Sequence, residues 1–200
     1  MSSSGHLVLV PWLLHWEHTG LAFGALLHLG TLVAVVAFFW RDLWRLVVGG
    51  LLSVKERSLA GDPVRKMAWL IVLATLPAAL LGFLLEDFFE SLFGQPFWVG
   101  ILLVVTGGLL AASERWSGRR LEITELGWLD ALVVGLGQAI AIAPGISRSG
   151  ATISAGLWRG LGREAAARFS FLLSVPVILG AGLFELKDVL DAPLVSDSPL

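Results

Sequence analysis

Four side chains able to donate hydrogen bonds stand within one short stretch: Ser147, Arg148, Ser149 and Thr152. They belong to Ala143-Pro144-Gly145-Ile146-Ser147-Arg148-Ser149-Gly150-Ala151-Thr152, which has almost wholly apolar sequence on either side. A guanidinium is a planar fork that matches phosphate oxygens, and hydroxyls can serve further oxygens. The chemistry this set suits is the holding of a phosphate-like anion. A charge near a bilayer centre costs about 2.5–3.5 kcal/mol on insertion scales, and such residues usually face a site. Arg148 is therefore the leading functional residue. Ser147, Ser149 and Thr152 could donate to the anion or equally satisfy backbone carbonyls. A second group, Ser2-Ser3-Ser4-Gly5-His6, sets three hydroxyls beside an imidazole that titrates near neutrality and could act as acid or base.

These residues need irregular backbone to present them. Pro144-Gly145 and Ser149-Gly150 punctuate the central stretch and argue against one continuous helix. At membrane depth such backbone survives only where protein or a water-filled cavity covers it. The expectation is two half-helices meeting at a loop, with Arg148 and free N–H groups of Gly150, Ala151 and Thr152 aimed at the anion. Asp130 is the nearest candidate partner for Arg148 by sequence, though over two turns away. Gln138 is a candidate cavity-lining group, and His28, inside an apolar run, reads as a packing residue.

With 56% hydrophobic and 15% charged residues, and a mean hydropathy of +0.81, the 200-residue chain has membrane-protein composition. It reads as one domain over residues 1–200. Cysteine is absent, which excludes disulfides and thiolate chemistry. No spacing matches a zinc site, a P-loop or a nucleophile elbow, and nothing points to nucleic acid. No cleavable signal peptide is visible.

In order, residues 7–14 form an apolar run too short to span, followed by a polar turn. Residues 21–40 are the first span, about the 20 residues a bilayer requires. A polar loop is expected over 41–66, then a second span over 67–85, an acidic loop around Glu86, Asp87 and Glu90, and a third span over 97–112. Residues 128–143 lead into the central loop, 153–160 lead out, 169–186 form the last span, and a polar tail follows from residue 188. Threading these spans places twelve of the fourteen Lys and Arg residues on one side, the exceptions being Arg148 and Lys187. The positive-inside rule makes that side, with residues 41–66, cytoplasmic. Trp40, Trp44, Trp69, Trp98, Trp116 and Trp128 fall near span ends, as an interfacial belt does. A soluble helical bundle fits neither the asymmetry nor the span lengths.

Self-comparison adds an internal echo. Ser2-Ser3-Ser4-Gly5 repeats as Ser147-Arg148-Ser149-Gly150, and the segment starting at Phe23 resembles the one starting at Phe169. The fold expected is all-α: a polytopic membrane protein with inverted repeats, 1–112 and 128–200, and re-entrant broken helices. The second repeat has a half-helix ahead of its loop, residues 129–142, for which the first has no counterpart.

The central stretch resembles the PGxSRSGxT signature of bacterial undecaprenyl-diphosphate phosphatases of the bacitracin-resistance type. Ser2-Ser3-Ser4-Gly5-His6 is similar to the end of that family's other signature, EGxTEFLPxSSSGH. Leu27-His28-Leu29-Gly30-Thr31-Leu32 and the stretch from Ala166 to Pro176 also look like its members. The resemblance implies hydrolysis of a C55 polyprenyl diphosphate to the monophosphate and inorganic phosphate in the bacterial plasma (inner) membrane, with the lipid as partner and a homodimer as a candidate assembly. By the match, Arg148 would clamp the diphosphate, with Ser147 and His6 as further catalytic residues. Ser3, Ser4, Gly145, Ser149, Gly150 and Thr152 would bind it. A divalent cation, Mg or Ca, is expected of the family, but its two glutamates would precede Met1. The match therefore implies a chain short at both ends, with a true start upstream, and leaves open whether the chain as given turns over. The rival reading is a lipid-phosphate transporter or binding protein that does not hydrolyse.

Overall fold

A computed structural model describes residues 2–16, 21–59, 61–116 and 120–191. The regular elements among them are helical, and the one strand-like pairing is an isolated bridge between Leu121 and Leu161. The helices are α1 (Ser3–Leu14), α2 (Leu21–Glu56), α3 (Pro63–Leu84), α4 (Glu86–Phe93), α5 (Pro96–Trp116), α6 (Trp128–Ile140), α7 (Arg148–Trp158) and α8 (Arg163–Asp191), with a 3-10 turn at Ile123–Glu125. Four of them, α2, α3, α5 and α8, carry stretches long and apolar enough to cross a membrane. In the apolar window of α2 only 6% of residues are buried, and Phe38, Leu80 and Val104 stand 80%, 59% and 76% exposed on their helices. Apolar surface on that scale is suited to lipid rather than water. The chain is an all-helical, multi-pass membrane protein.

Two expected loops are helix instead. Over 41–66 the chain stays helical as far as Glu56, leaves the helix at Arg57, and restarts with Asp62 capping Val64 N–H at 2.8 Å. Charge does not break a helix: Arg, Leu and Lys all favour it, and the stop comes only at Arg57, whose φ is +49°. At 36 residues α2 is about 54 Å long, well beyond a hydrocarbon core of about 30 Å. A kink at Phe39, where φ and ψ are −99° and 16°, divides it. The acidic segment expected as a loop is α4, since acids at a helix start complement its dipole. The third span runs on to Trp116, and α8 already begins at Arg163 and continues to Asp191. Of the expected tail, residues 192–200 lie outside the described residues.

The central stretch forms a hairpin. At 13 and 11 residues, α6 and α7 are about 20 and 16 Å long, too short to cross. They run antiparallel: Arg159 at the end of α7 donates through Nε to Asp130 Oδ1 at 2.6 Å near the start of α6. Small residues let the backbones close. A Cβ on Gly137 would sit 3.2 Å from Ala151 O, and one on Gly135 would collide with the backbone of Ala74 in α3. Ala74, Ala131 and Val134 are fully buried at this contact, and Leu70, Phe169 and Leu173 complete the core around it.

Candidate functional site

The hairpin's tip, residues 141–147, is fastened to α5. Gly145 has φ +97°, and a Cβ there would run into Val99 O and Leu102 Cβ, so only glycine fits the turn and the close approach. Thr106, at the middle of α5, accepts from Ser147 N–H at 3.2 Å and can donate to Gly145 O at 3.3 Å or Leu102 O at 3.1 Å. Further along, Ser113 Oγ donates to Ser154 Oγ at 3.2 Å. An apolar spanning helix thus holds the tip part-way along its length.

The helix starts one turn earlier than the sequence suggests. Arg148, Ser149 and Gly150 form the first turn of α7, because Ser147 caps it: Ser147 Oγ accepts from Gly150 N–H at 3.1 Å and Ser147 O from Ala151 N–H at 2.8 Å. The expectation of free N–H groups at Gly150, Ala151 and Thr152 is corrected accordingly, Thr152 lying within α7. The N–H groups left without a partner among the described residues are those of Arg148 and Ser149, the orphans of a helix start. Gly150 is also confined, since a Cβ there would approach Thr106 Cγ2 to 2.9 Å.

The start of α1 has the same construction. Ser2 Oγ accepts from Gly5 N–H at 3.2 Å, as Ser147 does from Gly150, and Ser2 O accepts from His6 N–H at 3.3 Å. The hydroxyls of Ser2 and Ser4 lie 3.2 Å apart, and those of Ser147 and Ser149 lie 3.3 Å apart. The two starts border one turn, because a Cβ on Gly5 would stand 3.4 Å from Gly145 Cα. His6 is exposed, and its Nδ1 lies 2.7 Å from Ser2 O. A carbonyl only accepts, so Nδ1 carries the proton and Nε2 is left as a base.

Arg148 lines a cavity of about 70 Å³ between α2 and α8, with His28, Ile178, Ala181 and Gly182. No carboxylate among the described residues pairs with it. Asp130, its expected partner, is held by Arg159 and also accepts from Gly127 N–H at 2.9 Å. His28, read from the sequence as a hydrogen-bonded packing residue, also lines the Arg148 cavity. Gln138 is buried against α3, its Nε2 3.4 Å from Ala74 O and its Oε1 without a partner, and it is not among the cavity's residues.

The remaining residues separate by exposure. Ser3 is exposed, while Ser4 and Ser149 are half-buried. Thr152 is only 1% exposed, its hydroxyl bonded to Arg148 O at 2.8 Å and 2.6 Å from Ser170 Oγ on α8. It joins two helices and does not line the cavity. Sequence reasoning missed Thr106 and Ser170; the one signal for Thr106 was a lone hydroxyl midway along an apolar run. Among the described residues no three His, Asp or Glu side chains gather at one point.

Fold and site together define a helical membrane protein with an arginine-bearing, serine-capped hairpin packed inside its bundle. The chain belongs to the family described as Bacitracin resistance protein BacA, whose family model matches residues 1–198. A curated relative named Undecaprenyl-diphosphatase, from Methanosphaera stadtmanae, is 48% identical over 198 residues, spanning 94% of this chain and 71% of its own length. A protein of the same name from Pelotomaculum thermopropionicum is 48% identical over 189 residues, covering 94% and 69%. Another from Alcanivorax borkumensis is 46% identical over 197 residues, covering 98% and 74%.

Proposed function

We propose that this chain hydrolyses undecaprenyl diphosphate to undecaprenyl phosphate and inorganic phosphate, recycling the lipid carrier of cell-wall synthesis. The observation that carries the reading is Arg148: a cation in a cavity of an apolar bundle, with no carboxylate beside it among the described residues. Membership of the family and the names of its relatives support it and do not favour a non-hydrolytic carrier.

In this reading Arg148 and the N–H groups of Arg148 and Ser149 neutralise the diphosphate oxygens, with the Ser149 hydroxyl beside them. Phosphoryl transfer is mostly positioning and charge stabilisation, which such donors supply. His6 Nε2 takes a proton from the attacking water, whose oxygen bonds to the terminal phosphorus. The anhydride P–O bond breaks, and undecaprenyl phosphate leaves with its electron pair. Ser147, Gly145 and Gly150 shape the turn, and Ser3 and Ser4 border the α1 side. Thr152 anchors α7 to α8. The tail stays in the bilayer, since each buried CH₂ is worth about 0.8 kcal/mol. We place the protein in the plasma (inner) membrane with residues 41–66 facing the cytoplasm, on the charge asymmetry. The matched serine caps at Ser2 and Ser147 support two inverted repeats, 1–112 and 128–200.

The test is phosphate release from a polyprenyl diphosphate by the purified chain in detergent. Arg148→Ala is expected to lower the rate by about 10²–10³-fold, the scale of losing a key oxyanion donor, with the thermal midpoint unchanged. Equal rates in both proteins, or lipid binding without phosphate release, would sink the reading.

A further inference from the structure

A second cavity lies on the same seam between α2 and α8, and the proposed reaction does not use it. It measures about 160 Å³ and includes Asp42, Arg45 and Leu46 of α2, Thr124 of the 3-10 turn, and Arg168 and Leu172 of α8. Arg168 precedes the residues of the Arg148 cavity on α8 by 10–14 positions, about 15–21 Å along the helix. It is a separate place, at the end of the bundle where the ion pairs collect.

Its charge is unbalanced. Arg168 Nη2 meets Asp42 Oδ2 at 2.7 Å, which accounts for the cavity's one carboxylate. Arg45 is exposed, one turn further along α2, and makes no hydrogen bond or ion pair among the described residues. One positive charge is left over, above a floor of Leu46 and Leu172. The depth is fixed independently. Trp40 and Trp44 flank the site on α2, 57% and 65% exposed, and aromatic residues so placed mark the headgroup level. Surplus cationic charge, an apolar floor and interfacial depth together match a phosphate joined to acyl chains. Basic pockets between helices at this level hold anionic headgroups.

We propose that this cavity binds the phosphate of an anionic phospholipid, with Arg45 and Arg168 on its oxygens, Thr124 at its rim, and the acyl chains descending along α2 and α8. The ligand chemistry is a phosphate ester, and free phosphate is the other possible source.

The test reads lipid retention, not turnover, so it stands or falls apart from the proposed hydrolysis. The full chain is purified from a mixture of phosphatidylglycerol and phosphatidylcholine, and bound lipid is counted by native mass spectrometry. Phosphatidylglycerol should be retained about five-fold over phosphatidylcholine, roughly the weight of one cation near the headgroups. Arg45→Gln should abolish the preference; because Arg45 holds no partner, the variant is expected to fold. Arg148→Ala should leave it intact, and millimolar inorganic phosphate should not displace the lipid. Equal retention of both lipids, or a preference that survives Arg45→Gln, overturns the proposal. Displacement by inorganic phosphate overturns the lipid assignment in favour of a free-phosphate site.

Discussion

Two arginines stand at opposite ends of α7, and the protein treats them in opposite ways. Arg159 caps the C-terminal end, where the helix dipole favours a cation, and it is bonded to Asp130 at 2.6 Å. Arg148 opens the N-terminal end, where the dipole opposes a cation, and no carboxylate among the described residues balances it. The first arrangement stabilises the hairpin. The second leaves positive potential standing in a cavity, the condition under which an arriving anion gains most. The other described ion pairs, Arg65 with Glu56 and Asp62, Arg163 with Glu114, and Arg168 with Asp42, all fall at the Arg159 end. The paired arginines there are neutralised by the protein's own carboxylates, Arg45 excepted, and at the hairpin tip Arg148 is left for a ligand.

The contrast breaks most sharply if Arg148 is given a partner of its own. His28→Asp places a carboxylate in the Arg148 cavity and would make that arginine resemble Arg159. Phosphate release should fall by about 10- to 100-fold, as the internal carboxylate competes for the guanidinium, while the thermal midpoint holds or rises. Full activity in this variant would mean that Arg148 does not meet the anion there. The reverse change is Asp130→Asn, which removes the charge from the Arg159 pair. It should destabilise the protein by about 1 kcal/mol, read as a lower thermal midpoint, and leave phosphate release within about two-fold. At the far end of the scale, Glu114→Gln dissolves an exposed pair and should shift neither midpoint nor rate. A clear loss there would show that the ion-paired end matters beyond holding itself together.

Much of this was legible beforehand, and the failures have a common cause. Hydropathy located the four spans because lipid-facing surface must be apolar whatever its neighbours. Pro144-Gly145 marked a true turn, since Gly145 occupies a backbone region closed to other residues. The helix lengths were misjudged wherever charge was taken for a loop, at 41–56 and in α4, because leaving the bilayer does not end a helix. Ser149-Gly150 was expected to interrupt the chain, but a Ser147 cap turns the same residues into a first turn. Asp130 was matched to Arg148 by proximity in sequence, whereas a hairpin brings the ends of its arms together and pairs it with Arg159. Thr106 was passed over for a related reason: a single polar group in an apolar run shows its worth only when another helix arrives beside it.

The attachments of the hairpin have a mechanical consequence. It is stapled to α5 at the tip through Thr106, again midway through Ser113 and Ser154, and its two arms are clasped at the mouth by Arg159 and Asp130. A pump that exposes its cargo to each side in turn needs a limb that rocks. Fastened at tip, middle and mouth, this limb is joined to α5 as one piece.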